Sequence, residues 1–281
     1  MDSLVDVHWL AEHLDDPDLR ILECTVDLVA VAGGFSAEPI HAAFDAEHIP
    51  NSAYVDLANE LSDPDSELRF TVPSAQRFAA AMEAVGVGEG TRVVLYDRRF
   101  TMWATRVFWM LKAFGFDECA VLDGGLASWK AEGFAVADGA AATPPSATFV
   151  ARPRPGMFVG LDEVEAAIED AGTCIVNALS PQNHDGTDPS YGRPGHIPGA
   201  TNVFAVSLVD PDTHRYLPAD ELAAKFAHLG PQGRVISYCG GGIAATSDAF
   251  VLSEILGRPD VAVYDGSLSE WIADPSRPLE V

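Results

Sequence analysis

The residues best suited to covalent chemistry are a cysteine and the small residues that follow it, Cys239-Gly240-Gly241-Gly242-Ile243-Ala244. Three successive glycines reach backbone conformations that other residues avoid. Consecutive N–H groups can then turn to one side and form a nest for an anion. Before the loop, Val235 to Tyr238 is short, apolar and partly β-branched, as a buried strand is. After it comes a helical stripe, and open α/β sheets bind their ligands between strand end and helix start. A free thiol titrates at about 8.5, and such settings lower it to between about 3.5 and 7.5. Cys239 is therefore expected to be a thiolate nucleophile, with Gly240, Gly241, Gly242, Ile243 and Ala244 holding the anion it works on. A buried structural cysteine is the other reading, but the glycines add no packing and cost backbone entropy.

The spacing removes two further readings. A phosphate-binding P-loop needs Gly-Lys-Ser/Thr after the glycines, and no Lys follows here. A cysteine phosphatase needs an Arg six residues after the Cys to clamp phosphoryl oxygens, and that position is Ala245. What remains is a small loop for a persulfide. The histidines fall in no HExxH or similar ligand spacing, so no metal is expected.

The elements that must position this loop occur twice. Arg92 to Trp129 aligns without gaps on Arg234 to Trp271, pairing Tyr96 with Tyr238, Phe108 with Phe250, Gly115 with Gly257, Asp123-Gly124 with Asp265-Gly266, and Trp129 with Trp271. Upstream, His48-Ile49-Pro50 answers His196-Ile197-Pro198. In each copy a buried strand (Val93 to Tyr96, Val235 to Tyr238) feeds an amphipathic helix that Gly115 or Gly257 ends as a left-handed C-cap. A second strand and a short helix carrying the Trp follow. Arg20 to Val26 and Thr173 to Leu179 read as further strands, preceded by helical Trp9 to Leu14 and Leu161 to Ile168. Alternating strands and helices predict a mainly parallel sheet flanked by helices in each half, an α/β fold duplicated within the chain. The Ala/Pro-rich stretch 139–156 reads as the linker between domains 1–138 and 157–281. Asp97 stands where the second copy has Cys239, so the first domain is expected to be inactive.

Composition bounds the partners. A formal net charge of -25 over 281 residues repels polyanions, which excludes nucleic acid as an expected partner. No apolar stretch approaches a membrane span, and no secretory signal opens the chain. Four cysteines, Cys24, Cys119, Cys174 and Cys239, without a CxxC pair suit a reducing, cytoplasmic setting.

These motifs together resemble the tandem-domain rhodaneses, the thiosulfate and 3-mercaptopyruvate sulfurtransferases, over nearly the whole chain. The pieces are Trp9-Leu10-Ala11-Glu12, His48-Ile49-Pro50, Val94-Leu95-Tyr96-Asp97, Leu122-Asp123-Gly124-Gly125, Gly195-His196-Ile197-Pro198-Gly199-Ala200, the Cys239 loop, and Tyr264-Asp265-Gly266-Ser267 with Glu270-Trp271. The resemblance implies rhodanese-like domains, the carboxy-terminal one catalytic. It implies a Cys239 persulfide that carries sulfur from a small-molecule donor to a thiol or cyanide acceptor. A relay or binding module with little turnover is the alternative. The resemblance also puts His48 near the thiol. The family's usual donor-binding Arg is replaced here within Gln182-Asn183-His184-Asp185-Gly186, leaving Asn183 at the donor site, with Arg193, Arg98 or Arg99 as candidate cations. Family thiosulfate enzymes carry basic residues after the Cys, so Gly240 and Gly241 favour mercaptopyruvate over thiosulfate.

Overall fold

A computed structural model describes residues 1–31, 34–141, 144–231 and 233–281. The chain forms two units: Met1–Asp65 with Val72–Arg154 and Pro211–Tyr216, and Ser66–Thr71 with Pro155–Asp210 and Leu217–Val281. In the first, the strands are Leu4–Val5 (β1), Leu19–Glu23 (β2), Val26–Val31 (β3), Gly34–Pro39 (β4), Ser52–Tyr54 (β5), Arg92–Tyr96 (β6) and Cys119–Leu122 (β7). The second has Phe158–Val159 (β8), Thr173–Asn177 (β9), Thr201–Asn202 (β10), Arg234–Tyr238 (β11) and Val261–Tyr264 (β12).

The first sheet runs β1-β7-β6-β2-β5 and the second, read from its matching edge, β8-β12-β11-β9-β10. Every neighbouring pair in both is parallel. Each strand of these two sheets thus has a counterpart in the other unit, and β6 and β11 are the centres. Their side chains from Val93 to Tyr96 and Val235 to Tyr238 are buried on both faces, which is why they read as largely apolar runs, broken only by Ser237. The helices after them are Met102–Ala113 and Ala245–Phe250, the latter continuing as a π-helical turn, Val251–Ile255. There the Ser253 hydroxyl donates to the Ala249 carbonyl at 2.9 Å. Gly115 and Gly257 follow with φ of +86° and +65°, the expected left-handed caps.

The stretch read as the linker packs on the first unit as far as Arg154, apart from residues 142 and 143, which lie outside the described residues. Phe149 is buried, and its N–H donates to Glu83 at 2.9 Å. Arg152 and Arg154 donate backbone N–H groups to Phe114 and Ala113 at 2.7 Å each, capping carbonyls left open at a helix end. Composition had no period to reveal these fixed hydrogen bonds. Nor did periodicity foresee the antiparallel β3–β4 hairpin or the membership of Ser66–Thr71 in the second unit.

Candidate active site

Cys239 lies directly beyond the carboxyl end of β11, 3% exposed. Its N–H donates to the Ser267 hydroxyl at 3.2 Å, and its carbonyl accepts from Leu268 N–H at 3.0 Å. The Gly240 carbonyl accepts both the N–H and the hydroxyl of Ser269, at 3.0 and 2.6 Å. The turn after β12 therefore clamps the first two loop residues. Ser267 pays for this with a left-handed φ of +50° at a fully buried position, a conformation of order 1–3 kcal/mol above an ordinary one. Gly125, its counterpart in the first unit, has a similar φ of +53° and the residue type that adopts it freely.

Beyond the clamp, Gly242 turns the chain with φ of +76°. The backbone N–H groups of Gly240, Gly241, Ile243 and Ala244 meet no acceptor among the described residues. Gly240 and Ile243 are buried, and a buried N–H without a partner forfeits a hydrogen bond. Such donors suit an acceptor brought from outside.

The first unit shows what this kind of loop does when an acceptor is built in. Asp97, 1% exposed, occupies the place of Cys239. Its Oδ1 accepts N–H groups of Arg99 at 2.9 Å and Thr101 at 3.2 Å, and its Oδ2 those of Trp103 at 2.9 Å and Ala104 at 3.1 Å. Phe100, with φ of +61°, turns the chain where Gly242 does. Gly241 and Ile243, which correspond to Arg99 and Thr101, are among the open amides of the second unit. One cradle is closed by the chain's own carboxylate, the other is open above a thiol.

Two segments wall the open loop. A Cβ on Gly240 would overlap the ring and hydroxyl of Tyr191. A Cβ on Gly241 would have Phe70 Cδ2 at 3.9 Å and the Arg69 carbonyl at 4.0 Å. Phe70 is buried with φ of +63°, and the exposed Arg69 has neither hydrogen bond nor ion pair among the described residues. Tyr191 as a residue is 38% exposed, but desolvation where its hydroxyl packs against the loop, with Cys239 beside it, pushes that hydroxyl well up from its ordinary value. No sequence signal pointed to Tyr191, Arg69 or Phe70, since none lies in a motif and their loops have no period.

The residues expected around the donor have other partners. Asn183 donates to the Asp188 carbonyl at 2.8 Å and the Ser190 hydroxyl at 2.9 Å, and accepts from Ser180 at 2.8 Å. Its amide is thus used in pinning the turn that leads to Tyr191. Arg193 donates to the carbonyls of Asp274 and Arg277 at 3.2 and 2.8 Å. Arg98 pairs with the buried Glu23 at 2.5 Å and also reaches the carbonyls of Ala43 and Glu47. The Arg99 side chain is exposed. His48, buried in the first unit, sets Nδ1 2.8 Å from the Phe44 carbonyl and stacks on that ring. His196 does the same with His184, at 2.7 Å. Beside each histidine, Ile49 and Ile197 N–H groups donate to Tyr96 and Tyr238 hydroxyls at 3.3 and 3.0 Å. Both motifs anchor loops to the central strands.

Among the described residues no three His, Cys, Asp or Glu side chains gather to hold a metal, and no helix is long and apolar enough to cross a membrane. A family model for the rhodanese-like domain matches residues 6–132 and 161–274. The 3-mercaptopyruvate sulfurtransferase of Escherichia coli (strain K12) is 32% identical over 286 residues, 98% of this chain and 97% of that protein. A protein of Thermus thermophilus named sulfur carrier protein TtuD is 31% identical over 283 residues, 96% of this chain and 93% of its own. The crystal structure of SseA from Escherichia coli, described under 3-mercaptopyruvate sulfotransferases and the rhodanese fold, superposes with a TM-score of 0.80 at 30% identity. It covers 96% of this chain and all of its own.

Proposed function

The chain belongs to the rhodanese family as a tandem-domain sulfurtransferase, and on that premise we propose that sulfur passes through a persulfide on Cys239, with mercaptopyruvate a better donor than thiosulfate. The observation that carries the proposal is the open cradle. Amides of Gly240, Gly241, Ile243 and Ala244 meet no acceptor among the described residues, while the matching loop of the first unit encloses the Asp97 carboxylate.

In the first half-reaction the Cys239 thiolate attacks the donor sulfur. The S–S bond forms and the C–S bond breaks, leaving its electron pair on the enolate of pyruvate. That enolate takes up the proton released by the donor thiol. In the second, an acceptor thiolate attacks the outer sulfur and Cys239 leaves as thiolate. Covalent transfer of this kind gives ping-pong kinetics. The cradle's amides stabilise the sulfur anion, and they supply dipoles rather than net charge. A dianionic donor gains less from them than from the cations other family members use, so the monoanion is favoured. With its cradle closed by Asp97, the first unit carries no sulfur.

Intact-mass measurement after exposure to mercaptopyruvate tests the proposal. One sulfur should be gained per chain and none by Cys239→Ser, and sulfur retained in that variant would overturn it. The similarity to a sulfur carrier protein favours a second reading, a relay that loads once and hands sulfur to a protein. Loading without multiple turnover on any small thiol or cyanide would select it.

A further inference from the structure

Gly240 and Tyr191 compete for one volume. The phenol ring and hydroxyl lie where a side chain on residue 240 would begin, so only glycine leaves the ring in place. The turn that delivers the ring is held by both ends of the Asn183 amide, through Ser180, Asp188 and Ser190, and by Gly192 N–H on the Pro189 carbonyl at 2.8 Å. No residue from Gly240 to Ala244 has a polar side chain, and the Ser269 hydroxyl is spent on the Gly240 carbonyl, so the phenol is a side-chain donor laid against this loop and available to a bound anion.

We propose that Tyr191 belongs to the reacting site, roofing the Cys239 loop with its ring and donating its hydroxyl to the sulfur anion held there, and that residue 240 is glycine to admit it. This rests on the sulfur-transfer reading above. The phenol is suited to the task because a tyrosine hydroxyl ordinarily titrates at about 10, and its desolvation against the loop with Cys239 beside it moves it further up, so it keeps its proton through neutral pH. It therefore acts as a fixed donor and keeps its proton while charge moves from the Cys239 sulfur to the outer one. A hydrogen bond to an ionised acceptor is about twice as strong as one between neutral groups. A neutral donor brings no net charge, so this roof selects monoanionic sulfur donors over dianions. A loop bearing Arg or Lys at position 240 could not keep the roof.

Tyr191→Phe deletes the hydroxyl and keeps the ring. In the full chain, the iodoacetamide alkylation rate of Cys239 against pH should shift to higher pH by about half a unit or more. With mercaptopyruvate and 2-mercaptoethanol, kcat should fall about tenfold while KM stays within about threefold, the pattern of a contact made mainly as charge moves. Gly240→Ala should expel the ring and match Tyr191→Ala, and combining the two should add nothing, as for residues sharing one interaction. An unchanged alkylation profile and kcat in Tyr191→Phe, or additive effects of Gly240→Ala and Tyr191→Ala, would overturn the proposal. If wild type accepts no sulfur at all, the sulfur-transfer reading fails by itself, and the alkylation profiles still decide whether the hydroxyl faces the thiol.

Discussion

At Asp97 two influences oppose each other: burial raises the carboxyl and four backbone N–H groups pull it back, and burial prevails, leaving it at about 7. Between about pH 4 and 7 the folded chain therefore holds a proton that the unfolded chain, with Asp near 3.8, has released. Stability from this residue is fullest below about pH 4 and declines as pH rises towards 7. Asp97→Asn removes the titration but offers one acceptor oxygen to four amides. Leaving buried donors unmatched costs about 1–3 kcal/mol each. The variant should melt lower than wild type throughout, with a smaller decline between pH 4 and 7. Thermal melts across that range check it, and an undiminished slope would mean that other groups set the decline. The sequence alignment revealed the exchange of Cys for Asp. It could not reveal that the carboxylate occupies the nest, because that depends on which way the amides point.

The two His-Ile-Pro loops show how an element-scale motif can be legible while its neighbours are not. Histidine, buried isoleucine and strand tyrosine recur at matching places, so the pattern was visible along the chain. The partner ring was not, because Phe44 fills in one unit the place that His184 fills in the other. Burial, with the adjacent His196, lowers His184 to about 4. It stays neutral in the fold but takes a proton in the unfolded chain below about pH 6.5. Its contribution to stability is present above that value and is lost as pH falls towards 4. His184→Phe, which copies the Phe44 arrangement of the first unit, should keep the stack and make the acid-side loss of melting temperature shallower. Equal slopes for variant and wild type between pH 6.5 and 4 would refute this. The paired strands, glycine caps and Cys loop were likewise readable from period and residue type. The strap ending at Arg154, the 66–71 segment and the Tyr191 turn were not, since single hydrogen bonds and left-handed residues hold them. For the same reason the hydrogen bonds that tie the Asn183 amide into the turn could not be read from the sequence.

At the scale of the molecule, a net charge of -25 must be crossed by any anionic donor approaching the Cys239 loop. Repulsion grows with donor charge, so thiosulfate, a dianion, meets about twice the electrostatic work that mercaptopyruvate does at equal distance. Salt screens that work, with a Debye length of about 30 Å at 0.01 M and about 10 Å at 0.1 M. The kcat/KM for both donors should therefore rise with ionic strength over this range, and more steeply for thiosulfate. Arg69 pulls the other way. It is a cation without a partner among the described residues, its carbonyl 4.0 Å from the position of a Cβ on Gly241. Arg69→Ala should lower kcat/KM for both donors at low salt, and the gap to wild type should narrow as salt rises. Steady-state kinetics at several ionic strengths distinguish the two fields. A wild-type kcat/KM that falls with salt would show that local cations, not the global charge, govern approach, and an Arg69→Ala chain indistinguishable from wild type would remove Arg69 from that role.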